Sequence, residues 1–211
     1  MEFVEALDAA LGERYALGPK SRNREPKTPI TQHVGLRARM QRIVDKFGGR
    51  HNRHARVQAA RDVGIPYSTF GHMLRGRQPK EANVRKVEEA FRRLVTAPAY
   101  AALVKKRGYP SSVSIKAVVV ADPDVKDASG KVKREGAKYV NIKQAGPGNE
   151  MGYREFNAEN LTAQQMAAVV DAWVWQGAAA AADTLTDALP SVYDGTPFGF
   201  EGDHVKVEFH G

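Results

Sequence analysis

One stretch constrains the fold more than any other: Arg56 to Gly76, RVQAARDVGIPYSTFGHMLRG. Ala60 is small where two helices would cross. Gly64 follows four residues later, where a tight turn needs φ > 0 or close backbone approach. Ile65 then points back into the core. Ala59 and Val63 supply the inner face of the first helix, and Phe70, Met73 and Leu74 that of the second. The other face of the second helix holds Tyr67, Ser68, Gly71 and His72, followed by Arg75 and Arg77. A helix laid in a major groove needs this division: apolar residues behind, short hydrogen-bonding groups at its N-terminal half, cations where phosphates run. The stretch therefore reads as a helix-turn-helix. An ordinary amphipathic helix pair in a helical core is the alternative, and the number of matching positions favours the DNA-binding reading. On that reading Tyr67, Ser68, Thr69 and His72 contact bases, and Arg53, Arg56, Arg75, Arg77 and Lys80 contact phosphates.

Charge is distributed unevenly. Residues 1–110 carry 23 Lys and Arg against 10 Asp and Glu, a net of +13; residues 111–211 carry 9 against 14, a net of −5. A basic half joined to a mildly acidic one implies a polyanion-binding module plus a module with another task. With no cysteine there is no disulfide framework and no thiol chemistry, which fits a reducing compartment. No apolar run approaches the ~20 residues needed to cross a bilayer. MEFVEALDAAL is acidic and amphipathic, unlike a signal peptide. The expectation is a soluble, cytoplasmic, nucleoid-associated protein with no membrane partner.

The order of elements implies an α+β chain: an all-α helix-turn-helix domain, then a smaller α+β domain with a β-hairpin, amphipathic helices and a short last strand. A first helix covers about Glu2 to Arg14, with Phe3, Val4, Leu7 and Leu11 on one face. Gly18, Pro19, Pro26 and Pro29 then break the chain, with Lys20, Arg22, Arg24 and Lys27 inside the break. This segment is either a flexible linker or an arm that lies along DNA. A helix from about Thr31 to Phe47 ends at Gly48 and Gly49, and its cations Arg37, Arg39, Arg42 and Lys46 read as a solvated face. Arg50, Arg53 and Arg56 lead into the helix-turn-helix. His51 and His54 fit solvated loop histidines better than a metal site, since no third ligand is near. A helix from about Glu81 to Val95 buries Val84, Val87, Phe91 and Leu94, and Pro98 suits the first turn of a further helix, Ala99 to Lys106.

The pattern changes at Tyr109-Pro110. Ser112 to Ala121 and Lys138 to Lys143 are β-branched, with turn residues at Asp127 to Gly130 between them, which implies a hairpin. Three domains result: an N-terminal helix and basic arm (1–27), the helix-turn-helix domain (28–108) and the α+β domain (109–211). Thr162 and Gln165 form a capping box for a helix whose stripe is Met166, Val169, Val170, Trp173 and Val174. That stripe packs on the hairpin or, with Trp175, forms a dimer surface. Gly177 interrupts an alanine-rich continuation to about Leu189, and His204 to Phe209 alternates like a strand.

Motifs for stand-alone catalysis are missing. The sequence holds no GxxxxGK[ST], HExxH or GxSxG, and GPGNEMG has the wrong spacing for a dinucleotide loop. Asp122, Asp124 and Asp127 fall in the expected hairpin turn, where Asp is favoured for backbone reasons. Tyr139 and Tyr153 have no identifiable basic and histidine partners for strand transfer. No catalytic residue, metal or cofactor is expected.

With these elements placed, the chain resembles the telomere terminal proteins of actinomycete linear chromosomes and plasmids. The similarity is a succession: EALDAALGERYALGP (5–19), PITQHVGLRARMQRIVDKF (29–47), VQAARDVGIPYSTFGHMLRGRQPKEANVRKVEEAFRRLV (57–95), SSVSIKAVVV (111–120) and LTAQQMAAVVDAWVWQGAAAAADTLTDAL (161–189). The resemblance implies a protein that sits at replicon ends with a telomere-associated protein and a DNA polymerase. A side-chain hydroxyl would receive the first nucleotide and stay linked to the DNA 5′ end. The family's priming threonine follows its first strand, but Ala121, Asp122 and Pro123 stand here instead. Ser129 is the nearest hydroxyl in the following turn and becomes the candidate; Thr162 and Tyr139 are more distant. The competing expectation is a transcriptional repressor with a C-terminal domain for homodimer formation.

Overall fold

The computed structural model describes residues 2–121, 154–158, 161–189 and 198–211. The arrangement is α+β: helices α1 (Phe3–Arg14), α2 (His33–Asp45), α3 (Arg53–Val63), α4 (Tyr67–Leu74), α5 (Glu81–Phe91) and α6 (Ala97–Arg107) precede strand β1 (Ser112–Ala121). Strand β2 (Arg154–Ala158), helices α7 (Ala163–Trp175) and α8 (Ala178–Ala188) and strand β3 (Phe198–His210) follow. Two compact units result, Leu17–Leu103 and Met1–Ala16 with Val104–Gly211.

The first unit is helical. Its core takes Leu36, Met40, Ile43 and Val44 from α2 and Ala55, Ala59, Ala60 and Val63 from α3. Ile65, Phe70 and Met73 join them, with Val87, Ala90 and Phe91 from α5. Ala60, 1 % exposed, is as small as the spacing required, while Leu74, Val84 and Leu94 are only half-buried. Asn52 caps α3, its Oδ1 accepting from the backbone N–H groups of His54 (2.8 Å) and Ala55 (3.4 Å). Gly64 ends α3 in the left-handed region (φ 69°). The Ile65 and Gly64 N–H groups bond back to the Ala60 and Arg61 carbonyls, each at 3.0 Å, a Schellman closure.

The basic Pro-broken segment lies along α2 instead of standing free. Arg39, expected on a solvated face, is 5 % exposed. Its Nη1 donates to the Thr28 carbonyl (3.0 Å) and the Gly35 carbonyl (3.3 Å), its Nη2 pairs with Glu25 (3.6 Å), and its guanidinium lies over the Phe91 ring at 5.7 Å. Arg42 donates to the Arg24 carbonyl and Lys46 to Asn23. Burial, and then the neighbouring Arg39 charge, lower the Arg42 pKa. A Cβ at Gly35 would overlap the carbonyl oxygens of Thr28 and Pro29, so glycine permits this close approach.

The expected break after Val95 is a widened helical turn. A π-helical segment, Arg92–Thr96, carries the chain from α5 directly into α6. Pro98 follows in the first turn of α6; it cannot donate a backbone bond and its ring crowds the preceding turn, which the wider turn accommodates.

In the second unit β1 is the central strand, in the order β2-β1-β3, antiparallel on both sides. Val113, Ile115, Val205 and Val207 are buried, alternating along their strands. The last strand is longer than His204 to Phe209. Lys138 to Lys143, the Asp127 to Gly130 turn, the three aspartates, Tyr139, Tyr153, GPGNEMG and Ser129 lie outside the described residues. Helix α1 packs on β3 and α8, burying Phe3, Leu7 and Leu11, while Val4 is 38 % exposed. The Thr162–Gln165 capping box is present. The α7 stripe is buried, packing chiefly on α8; Trp173 donates to Asp8 at 2.7 Å, and Trp175 is 48 % exposed.

Two glycines give opposite expectations. Nothing lies within 4 Å of a Cβ at Gly64, so only its positive φ requires glycine, and Gly64→Ala should lose about 1–2 kcal/mol. Gly12, inside α1 with the same open space, should gain about 0.5–1 kcal/mol as alanine. Urea unfolding followed by circular dichroism checks both signs. Separately, Arg39→Ala should release residues 20–28 to trypsin, read as faster cleavage there by mass spectrometry; unchanged cleavage would show that the segment is held by other contacts.

Candidate nucleic-acid interface

Helix α4 turns Phe70 and Met73 into the core, which leaves Tyr67, Ser68, Gly71 and His72 on its outer side. These four residues, with Arg56 and Arg75, line a shallow depression of about 190 Å³, and Phe70 and Leu74 complete it. Two of the five expected phosphate-contacting cations therefore meet three of the four expected base-contacting side chains. Thr69 is half-buried and does not line this depression. Arg77 lines a separate one beside His33 and Gly76. Arg53 and Lys80 are exposed at the N-terminal ends of α3 and α5.

Local structure fixes the two arginines. The Asn52 cap sets the first turn of α3 so that Ala55 and Ala59 face inward and Arg56 lies half-buried at the edge. Its Nε is buried with no hydrogen-bond partner. Arg75 follows α4 directly, and its Nη2 lies 3.3 Å from His72 Nδ1. A guanidinium can only donate, so Nδ1 is the acceptor in this contact. The lining thus presents guanidinium, hydroxyl and imidazole groups and no carboxylate, a set suited to base-edge acceptors and phosphate oxygens.

A second depression of about 230 Å³ shares Arg56, Leu74 and Arg75 with the first and adds Arg37, Gln41, Val44, Arg50 and His51. Arg37, expected on a solvated face, and Arg50, expected only in the approach to α3, thus share one depression. The usable signal was the four-residue spacing of Arg37 and Gln41, which puts both on one side of α2.

Among the described residues no group of three or more His, Asp or Glu side chains could hold a metal, and no helix is long and apolar enough to cross a membrane. No protein-family model, curated protein or solved structure matches the chain.

Gly71 has no internal reason to be glycine. A Cβ there would meet only the end of the Arg75 side chain, at 3.6 Å. Gly71→Ala should therefore stabilise the chain by about 0.5–1 kcal/mol through helix propensity. A loss in urea unfolding would show that α4 itself needs glycine at this place.

Proposed function

We propose that this chain is a DNA-binding terminal protein: it reads duplex sequence at replicon ends and offers a side-chain hydroxyl as primer for completing them. The observation that supports DNA binding best is the outer face of α4, where Tyr67, Ser68 and His72 share one depression with Arg56 and Arg75 and no carboxylate intrudes. The unit that carries it, residues 17–103, has 19 Lys and Arg against 6 Asp and Glu. In this reading α4 enters the major groove. Tyr67, Ser68, Thr69 and His72 address base edges, while Arg53, Arg56, Arg75, Arg77 and Lys80 meet phosphates. Gly71 lets the helix backbone approach closely.

The priming half of the reading rests on the resemblance of the successive segments to telomere terminal proteins. A hydroxyl oxygen, with Ser129 as the candidate, attacks the α-phosphorus of a nucleoside triphosphate. Pyrophosphate leaves, and the hydroxyl proton is released. A DNA polymerase supplies metal ions and charge stabilisation, and a telomere-associated protein assists at the end, so this chain needs only a positioned hydroxyl and a grip on DNA. A repressor is the second reading, favoured by Trp175 at the end of α7, whose exposure suits a homodimer surface.

Isolation of the native replicon without protease separates the two readings. Polypeptide retained on the terminal fragments through denaturant supports the terminal protein; complete dissociation supports the regulator. Peptide sequencing after nuclease digestion tests Ser129, and any other linked residue rejects it. On DNA, Ser68→Ala should lose about 1–3 kcal/mol of discrimination between preferred and unrelated duplexes. Arg75→Ala should weaken both alike, as a phosphate contact does; a base-selective loss would count against that role.

A further inference from the structure

We infer that the depression between α2 and the C-terminal end of α4 is a second grip on the duplex DNA backbone, with Arg37 and Arg50 as its own phosphate ligands. This deepens the DNA-binding reading above and rests on it. Four arginines, Arg37, Arg50, Arg56 and Arg75, line it from α2, the α2–α3 turn, α3 and the end of α4, with no carboxylate in the lining. Like charges gathered on one face raise the local positive potential, which favours an anion there.

The cations of α2 divide by direction. Arg39 and Arg42 are tied to the 24–28 segment. Arg37 and Arg50 are exposed, and among the described residues neither side chain has a hydrogen bond or an ion pair. Gln41 and His51 add hydrogen-bonding groups, and Val44 and Leu74 give an apolar floor that suits deoxyribose carbons. The shared Arg56 and Arg75 make this depression continuous with the one on α4. A strand whose bases are read by Ser68 and His72 would thus run its phosphates across Arg56 and Arg75 to Arg37 and Arg50. The arginine-rich, open shape fits a phosphodiester track, and bidentate guanidinium contacts suit it.

The test is fluorescence anisotropy of the full chain on a labelled random-sequence duplex across a salt series. Arg37→Ala/Arg50→Ala should make the slope of log K against log salt shallower by about two, one for each lost phosphate contact. Discrimination between a selected duplex and a random one should stay as in the wild type. Arg85→Ala removes a surface cation paired with Glu81 at 2.5 Å, and should leave the slope unchanged. Gln41→Glu, which places an anion in the depression, should weaken duplex binding at low salt without altering the circular dichroism. An unchanged slope in the double variant, with Arg75→Ala still lowering it, overturns the second grip and leaves DNA binding by α4 standing. A slope lowered only on single-stranded DNA also overturns it. No salt-dependent binding by the wild type overturns the DNA-binding reading itself.

Discussion

The end of α3 is the constraint on which the helical unit depends. A helix leaves its last carbonyls without partners, and a sharp turn to a second helix exposes them further. Here the Gly64 and Ile65 N–H groups take the Arg61 and Ala60 carbonyls, and two cations add further donors: Arg93 of the π-helical segment donates to the Asp62 carbonyl at 2.9 Å and Lys86 of α5 to that of Gly64 at 3.1 Å. Both cations also face the negative end of the α3 dipole. The left-handed Gly64 sends Ile65 into the core, and Pro66, which has no N–H to satisfy, leads into α4. That entry angle decides which residues of α4 turn inward. Phe70 and Met73 become core, and Ser68, Gly71 and His72 become surface.

The cations of this unit fall into two sets. One set of cations is structural: Arg39 and Arg42 hold the 24–28 segment, and Lys86 and Arg93 close α3. Each directs its donors at backbone carbonyls, where a charged donor strengthens the bond. The other set, Arg37, Arg50, Arg56 and Arg75, lines the paired depressions. Net charge alone does not separate these sets. A helix such as α2 carries both, because positions 37 and 41 face away from positions 39 and 42 at 3.6 residues per turn.

Where local patterns carried the information, the sequence was legible. Gly64, the inner face of Ala59, Val63, Phe70 and Met73, the Thr162–Gln165 capping box and the α7 stripe all follow from spacing that requires no knowledge of the partner. Three features were not legible, because each depends on contacts between distant segments. Arg39 looks like any surface arginine until the Thr28 carbonyl and the Phe91 ring are placed around it. Helix α1 reads as a companion of the basic segment, yet its Leu7 and Leu11 are covered by elements nearly two hundred residues later in the chain. The same limit hid the second depression: Arg37 and Arg50 lie in separate segments, and only the packing of α2 against α4 shows that they share a space with Arg75.

On the DNA-binding reading, the opposite charges of the two units have a kinetic consequence. Residues 17–103 carry a net of +13, while the remainder of the chain carries −5. Near a polyanion the first is attracted and the second repelled, over a range set by a screening length of about 8–10 Å at physiological salt. On that reading, steering by the basic unit would raise the fraction of encounters that are productive. Lining α4 with hydroxyl and imidazole groups between arginines would extend this logic to close range. On the same reading the arginines would capture any duplex and let it slide, whereas Ser68 and His72 would gain only where the base edges match. Attraction to phosphate and selection by bases then fall to different side chains, so the strength of one can change without erasing the other.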